Sequence, residues 1–200
     1  MKLLNSLLPL AALAYTQEQQ IPISPPGSPS QPFRLDAIPL LGFGTWNLKE
    51  NCTQAVSQAI QVGYRHIDGA AAYGNEADVG AGIRDGLRKT GLTREDLWIT
   101  SKLWNDHHDP ERVAAGINKT LAELGVGYLD LYHMHWPVGS DSGKNKINYL
   151  QTWDAMVELL HQGKTRHLGV CNFDYEQLER LVDHTAYPPA VRKSSRPCPS

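Results

Sequence analysis

The sequence is poor in cysteine, in excess charge of either sign and in basic runs. Its 200 residues include three cysteines, too few and too scattered for a disulfide scaffold or a zinc site (Cys52, Cys171, Cys198). The 19 Lys and Arg residues nearly balance the 21 Asp and Glu residues, so the formal net charge is −2. Because phosphate binding needs clustered Lys and Arg, this balance argues against nucleic acid as the main partner.

Long apolar runs are also scarce, and the longest lies at the start of the chain, from Leu3 to Ala14. A bilayer-spanning helix takes roughly 20 apolar residues, so this run does not predict a membrane span. The positive charge of Lys2, the apolar run and the small residues at its end predict a signal peptide over residues 1–16. The protein is then secreted or enters the secretory pathway. The alternative is a disordered extension of a cytoplasmic protein.

The rest of the chain divides into three parts by composition. Hydrophobic residues make up 41% and charged residues 20%, as in soluble globular proteins. Residues 17–32 are rich in Gln, Pro and Ser and predict a linker. Residues 33–187 show regular hydrophobic patterning and predict one domain. Residues 188–200 contain four prolines and have no hydrophobic period, so they predict a disordered tail.

Within residues 33–187, short apolar runs alternate with amphipathic stretches that carry helix start and stop signals. Asp109-Pro110-Glu111, for example, combines an N-cap, a proline at N1 and an acidic first turn. Five strand–helix units in a row imply parallel strands with helical crossovers, either as an open doubly wound sheet or as a (β/α) barrel. The predicted strands are 40–44, 64–67, 97–101, 128–133 and 167–170, with helices beginning near 51–53, 76, 109–111, 149 and 174.

Polar and aromatic side chains follow the carboxyl end of each predicted strand, where parallel α/β folds place their chemistry. Taken singly, each has an ordinary structural interpretation, such as a turn aspartate, a solvated lysine or a core histidine. Taken together, they are expected to face one another at one edge of the sheet, where its strands end. In chain order they are Thr45 and Trp46, Asp68 with Tyr73, Lys102 with Trp104, His135, and Asn172.

An Asp, a Tyr, a Lys and a His at this edge suit proton transfer. Free tyrosine has a pKa near 10 and is a poor acid near neutral pH. A neighbouring ammonium is expected to lower the pKa of the phenol, and a carboxylate is expected to hold that ammonium in place. An imidazole can then hold a carbonyl oxygen close to the phenol. This set suits a reaction that protonates an oxygen while another group delivers a hydride.

The same residues resemble the aldo-keto reductase family, in family order and at family spacing, over about residues 33–187. Two departures are mild: Gly69 stands where Thr, Ser or Cys is commoner, and Cys171 where Ser is commoner. The motifs that carry the resemblance are Leu41-Gly42-Phe43-Gly44-Thr45-Trp46, Gly63-Tyr64-Arg65-His66-Ile67-Asp68, Tyr73-Gly74-Asn75-Glu76, Thr100-Ser101-Lys102-Leu103-Trp104, Asp130-Leu131-Tyr132 through His135-Trp136-Pro137, and Gly169-Val170-Cys171-Asn172-Phe173.

The resemblance implies an α/β fold of the (β/α)8 TIM-barrel family. It also implies an oxidoreductase that uses NADPH, with NADH as an alternative, to interconvert small-molecule aldehydes or ketones and alcohols. Such a barrel takes about 250 residues. About the first five β/α units are expected here, in a truncated or alternatively spliced form whose fifth strand has an unpaired edge. The alternatives are a non-catalytic cofactor-binding or regulatory subunit and an inactive fragment.

Carried over residue by residue, the resemblance implies that Tyr73 is the general acid, that Lys102 and Asp68 tune it, and that His135 orients the substrate carbonyl. It implies no metal ligand. The implied cofactor-binding residues are Gly44, Thr45, Trp46, Asp68, Cys171 and Asn172. The implied substrate-binding residues are Trp46, Tyr73, Trp104, His135 and Trp136.

Overall fold

A computed structural model describes residues 38–138 and 148–193. The predicted signal peptide at 1–16, the predicted linker at 17–32 and residues 194–200 of the predicted tail lie outside the described residues. Within the two described ranges, no helix combines the length and the apolar character that crossing a bilayer requires.

Six parallel strands form one sheet in which each strand pairs with the next along the chain. This sequential order is that of a (β/α) barrel, whereas a doubly wound sheet reverses its order at a switch point. The structure is therefore a partial (β/α) barrel, and the open-sheet alternative is excluded. The strands are β1 (Gly42–Gly44), β2 (His66–Asp68), β3 (Trp98–Leu103), β4 (Leu129–Met134), β5 (Thr165–Cys171) and β6 (Val191–Lys193).

The helices that connect the strands lie where the hydrophobic pattern predicts them. The Asp109 carboxylate accepts a hydrogen bond from the backbone N–H of Glu111, as its N-cap position predicts. Asp174 and Gln177 form the predicted capping box. The α-helices of the described residues are α1 (Cys52–Gln61), α2 (Glu76–Thr90), α3 (Pro110–Leu124), α4 (Tyr149–His161) and α5 (Tyr175–His184).

The strand β6 corrects two expectations. Residues 188–193 do not belong to a disordered tail, and the edge of β5 is not left unpaired at its carboxyl end, because β6 pairs with Gly169, Val170 and Cys171. The backbone N–H of Ala190 donates to the Leu168 carbonyl at 2.8 Å, and that of Asn172 donates to the Lys193 carbonyl at 3.0 Å. Such main-chain pairing needs no alternation of apolar side chains, so it left no pattern in the sequence.

The hydrophobic core fills the space between the sheet and its helices. Ile67, Ile99 and Met134 are each at most 1% exposed and pack there, against helical side chains such as Trp153. Because successive side chains of a strand point to opposite faces, the neighbours of these residues lie on the inner face of the sheet. This alternation places Asp68 of β2 on that inner face, where the polar residues of the site collect.

Candidate active site

The carboxyl ends of neighbouring strands bring the predicted polar residues together. Asp68 ends β2, and Lys102 is the last residue but one of β3. His135 follows β4 directly, and Asn172 follows β5 directly. Because the strands are parallel and adjacent, these four side chains lie at one rim of the partial barrel, as the sequence predicts.

A buried lysine and a carboxylate lie at the centre of this rim. The Nζ of Lys102 donates to Oδ1 of Asp68 at 2.8 Å and to the backbone carbonyl of Gly69 at 2.6 Å. The Lys102 side chain is 2% exposed and that of Asp68 is 14% exposed. A buried ammonium is stable when it is paired and hydrogen-bonded, as here. The pair therefore fixes a positive charge at a defined position.

The phenol of Tyr73 reaches the same ammonium from a short 3-10 turn after β2, Ala71–Tyr73. Its Oη lies 3.4 Å from Nζ of Lys102, and that Nζ lies 5.1 Å from the centre of the Tyr73 ring. Gly74 ends the turn with φ +66°, a left-handed conformation that glycine adopts without strain. The turn therefore holds the phenol against the Lys102–Asp68 pair.

The pKa of Tyr73 lies above its ordinary value, which corrects the expectation that a lysine lowers it. Burial of the phenol is the largest cause, and the negative charge of Asp68 adds to it. The charge of Lys102 is offset by the carboxylate 2.8 Å from its Nζ. The phenol is consequently protonated at neutral pH, the state from which a general acid donates.

The carboxyl of Asp68 stays ionised in this setting. Burial by itself raises the pKa of a carboxyl, but the charges and hydrogen bonds of Lys102 and Lys193 together outweigh that effect. The net result is a pKa below the ordinary value. Asp68 therefore carries a full negative charge across the neutral range.

His135 is held in position and is uncharged. Its backbone N–H donates to the Leu103 carbonyl at 3.2 Å, and its own carbonyl accepts from Nδ2 of Asn172 at 2.9 Å. Its ring meets Tyr73 at 6.0 Å and Trp104 at 5.1 Å between ring centres, both edge to face. Burial, followed by the charge of Lys102, lowers the pKa of His135 to about 4. The ring is therefore neutral at pH 7.

Gly44 and Thr45 support the end of β2, where Asp68 lies. Gly44 is opposite Asp68 in the register of β1 and β2. The backbone N–H and the hydroxyl of Thr45 both donate to the Asp68 carbonyl, at 3.0 and 3.2 Å. The Thr45 carbonyl accepts from Nδ2 of Asn75 at 2.9 Å. Thr45 is fully buried, so in this structure it braces the site from behind.

The other predicted site residues lie around the same rim. Trp46 is 74% exposed and Trp136 is 40% exposed, so both indoles are open to an incoming molecule. Cys171 is 3% exposed and lies at the end of β5. Burial raises the pKa of its thiol to about 12, so it remains protonated. The roles of these residues in binding cofactor or substrate stay predictions.

Lys193 is a site residue that the sequence did not reveal. It ends β6 and forms an ion pair with Oδ2 of Asp68, the oxygen that Lys102 does not occupy. Ser194, Ser195 and Pro197, which follow it, do not favour a strand, and Val191 is the one β-branched residue in the sequence 188–200. The local signal for this strand is the Pro188-Pro189 pair before it, because prolines in sheets occur at edge strands and strand starts.

Glu76 is a second residue without a predicted role, and it braces the elements behind the site. It begins α2, and its buried carboxyl accepts from the Ser101 hydroxyl at 2.6 Å and from the Thr120 hydroxyl at 3.0 Å. These bonds join α2 to β3 and α3. Burial raises the pKa of Glu76.

Glu76→Gln should preserve this brace, whereas Glu76→Ala should lower the free energy of unfolding by about 2 kcal/mol, because two buried hydroxyls lose their partner. The folded state holds the Glu76 proton more tightly than the unfolded chain does. Wild-type stability should therefore fall as pH rises from about 4.3, the unfolded value, to the raised folded value. The free energy of unfolding of Glu76→Gln should not show this decrease, because its amide does not titrate.

Urea unfolding of the wild type and both variants across this pH range measures the effect. As pH rises, the free energy of unfolding of Glu76→Gln should increase relative to that of the wild type. A difference that does not change with pH would show that the carboxyl titrates normally.

Comparison with known proteins links this geometry to a family. The model of the family described as "Aldo/keto reductase family" matches residues 40–195. An uncharacterized oxidoreductase of Schizosaccharomyces pombe is 45% identical over 170 residues, which cover 78% of this chain and 52% of that protein. A D/L-glyceraldehyde reductase of Hypocrea jecorina is 44% identical over 176 residues, which cover 80% of this chain and 53% of that protein.

Solved structures show the same fold. A crystal structure of a Bombyx mori aldo-keto reductase in complex with NADP matches 80% of this chain and 55% of its own, with a TM-score of 0.75 and 38% identity. An aldose reductase from Schistosoma japonicum matches 80% of this chain and 57% of its own, with a TM-score of 0.72 and 36% identity. The chain spans about half the length of the curated relatives it matches.

Proposed function

The chain belongs to the aldo/keto reductase family, and from this premise we propose that it reduces small-molecule aldehydes or ketones to alcohols with NADPH. The observation that carries the proposal is the placement of the Tyr73 phenol beside the Lys102–Asp68 pair, with the neutral ring of His135 at its other side. A protonated phenol, a fixed ammonium and a neutral imidazole suit protonation of a carbonyl oxygen.

The rim offers groups that fit the nicotinamide end of such a cofactor. The indole of Trp46 is 74% exposed, which leaves a flat apolar surface for an aromatic ring. Asn172 follows β5 in a left-handed conformation, with φ +62°, and its carboxamide Nδ2 donates to the His135 carbonyl at the rim. We propose that Gly44 and Asp68 complete this binding surface, and that the buried side chains of Thr45 and Cys171 support it from behind. NADPH, when bound there, supplies the hydride.

The proton comes from the chain itself. The Tyr73 phenol donates its proton to the substrate oxygen, and the phenolate that remains lies 3.4 Å from the Lys102 ammonium. This ammonium stabilises the phenolate more than it stabilises the neutral phenol, so its effect is greatest after the proton has moved. Asp68 keeps the ammonium in place by its 2.8 Å hydrogen bond.

His135 orients the substrate. A neutral imidazole can donate one hydrogen bond to a carbonyl oxygen without adding a charge that competes with the phenol for the proton. Its Nδ1 is buried within the described residues, so we propose that the N–H of Nε2 donates to the substrate oxygen. The edge-to-face contacts with Tyr73 and Trp104 fix the plane of the ring. We propose that Trp46, Trp104 and Trp136 form the apolar walls for the substrate carbon chain.

The direct test measures cofactor binding and turnover separately. Quenching of tryptophan fluorescence by NADPH, and by NADH for comparison, reports binding. Loss of NADPH absorbance with D-glyceraldehyde reports reduction, a substrate chosen from the name of the Hypocrea jecorina relative. We expect saturable quenching and consumption of NADPH that depends on the aldehyde.

Two other outcomes of the binding and turnover measurements would change this assignment. Binding without turnover of any aldehyde or ketone would favour a non-catalytic cofactor-binding subunit over a reductase. Absence of both binding and turnover in a chain that shows cooperative unfolding would overturn the proposed function.

A further inference from the structure

Two ammonium groups share one carboxylate at the rim. Lys102 of β3 donates to Oδ1 of Asp68. Lys193 of β6, which lies 125 positions after Asp68 in the sequence, forms an ion pair with Oδ2. The Lys102 side chain is 2% exposed, whereas that of Lys193 is 46% exposed. The rim therefore carries two positive charges and one negative charge, and the second positive charge is accessible to solvent.

The backbone around Lys193 directs its side chain to this place. The carbonyl of Lys193 accepts from the Asn172 N–H at 3.0 Å, and Lys193 is opposite Cys171 in the register of β5 and β6. The guanidinium of Arg192 donates to the Phe173 carbonyl at 2.8 and 3.2 Å. Because neighbouring side chains on a strand alternate, this anchor on Arg192 leaves Lys193 facing the opposite way, toward the rim.

We propose that Lys193 is a positioning residue for proton donation by Tyr73, and that it acts by binding the second oxygen of Asp68. The inference rests on the proposed function, since it concerns the acid of that reaction. With Lys193 in place, neither carboxylate oxygen is free to turn toward the phenol. Asp68 then keeps both its charge and its orientation toward Lys102.

The charges around Tyr73 give this contact its effect. Asp68 opposes ionisation of the phenol, and Lys193 favours it. Lys102 contacts the phenol directly, the Cys171 thiol is protonated, and His135 is neutral at pH 7. Because the charge of Lys102 is offset by Asp68, the ammonium of Lys193 supplies the excess positive charge at the rim. Without it, the phenol would be a weaker acid.

The test replaces Tyr73 with 3-nitrotyrosine, whose phenol titrates near neutral pH and absorbs visible light only when ionised. The titration is recorded in four backgrounds: the unaltered chain, Lys193→Met, Lys193→Arg and Lys119→Met. Lys119 lies on α3, is 65% exposed and pairs with Glu123, so it is a matched surface control. This readout needs neither bound cofactor nor turnover.

We expect Lys193→Met to raise the pKa of the probe by about one unit, roughly a tenfold loss of acidity. In Lys193→Arg and in Lys119→Met, the pKa of the probe should stay at its value in the unaltered chain. Because Lys193 is half-exposed, added salt should also raise the pKa of the probe in the unaltered chain. This salt titration serves as the test if Lys193→Met does not fold. An unchanged pKa in Lys193→Met, an equal shift in Lys119→Met, or, in the salt titration, no response to salt would overturn the proposal.

Activity measurements with natural Tyr73 separate this inference from the proposed function. A shifted titration in a chain that turns over no carbonyl substrate would support the role of Lys193 and contradict the reductase assignment. Turnover by the wild type with an unchanged titration would support the reductase assignment and overturn the role of Lys193. If both hold, the limb of the pH profile of kcat/KM that reports Tyr73 should move with Lys193→Met.

Discussion

Tyr73→Phe is expected to lower kcat for carbonyl reduction by about 10²- to 10⁴-fold, the range that a positioned general acid contributes. The variant loses the phenol oxygen and its proton but keeps the ring that contacts His135 edge to face. The Lys102–Asp68 ion pair does not depend on the phenol, because the Nζ of Lys102 also donates to the Gly69 carbonyl. Affinity for NADPH should therefore stay nearly unchanged.

Steady-state turnover and fluorescence quenching, measured on the same preparation, check both parts of this prediction. Tyr175→Phe is the matched control, because Tyr175 lies on α5 and is 73% exposed. It should have the turnover of the wild type. Substantial turnover by Tyr73→Phe would show that the proton comes from another group, and an equal loss in Tyr175→Phe would show a general effect on the fold.

Gly80→Ala is expected to lower the free energy of unfolding by about 3 kcal/mol, at the upper end of the usual cost of overpacking. Gly80 lies on α2 where that helix meets the end of α3. A Cβ at this position would lie 2.4 Å from the carbonyl oxygen of Leu124 and 2.8 Å from that of Glu123. Because both are backbone atoms, they cannot turn aside as a side chain can, and the two helices must separate.

Gly127→Ala is the matched control for this change. A Cβ at Gly127 would meet no atom within 4 Å, so the substitution should alter stability by a few tenths of a kcal/mol at most. Urea unfolding of the three proteins measures the difference. A Gly80→Ala variant as stable as Gly127→Ala would show that α2 and α3 can move apart without cost.

The predicted elements that the structure confirms are those with strong local signals. The helix that begins after Asp109 carries apolar residues at helical spacing, with Val113 and Ile117 on the buried face, and ends at Gly125. The strand β4 has six buried residues, four of which are apolar (Leu129, Leu131, Tyr132 and Met134). Both signals depend on residues close in sequence, so they can be recognised without knowing the fold.

The part of the site that lies at the carboxyl ends of strands could be predicted from the sequence. Asp68, Lys102 and His135 each follow or end a recognisable apolar run, and parallel strands then bring them together. The direction in which the pKa of Tyr73 shifts could not be predicted from the sequence. It depends on how deeply the phenol is buried and on how closely Asp68 offsets the charge of Lys102, which are distances in space.

By itself, the sequence determined the alternation of strands and helices, the parallel arrangement and the identity of four groups for proton transfer, because these follow from hydrophobic period and residue chemistry. The tertiary structure confirmed the barrel that the family resemblance implied and that the strand–helix pattern alone left open, added β6, and brought Lys193 to the carboxylate of Asp68. The physical reason is that main-chain hydrogen bonds and ion pairs between distant residues impose no periodic pattern on the chain.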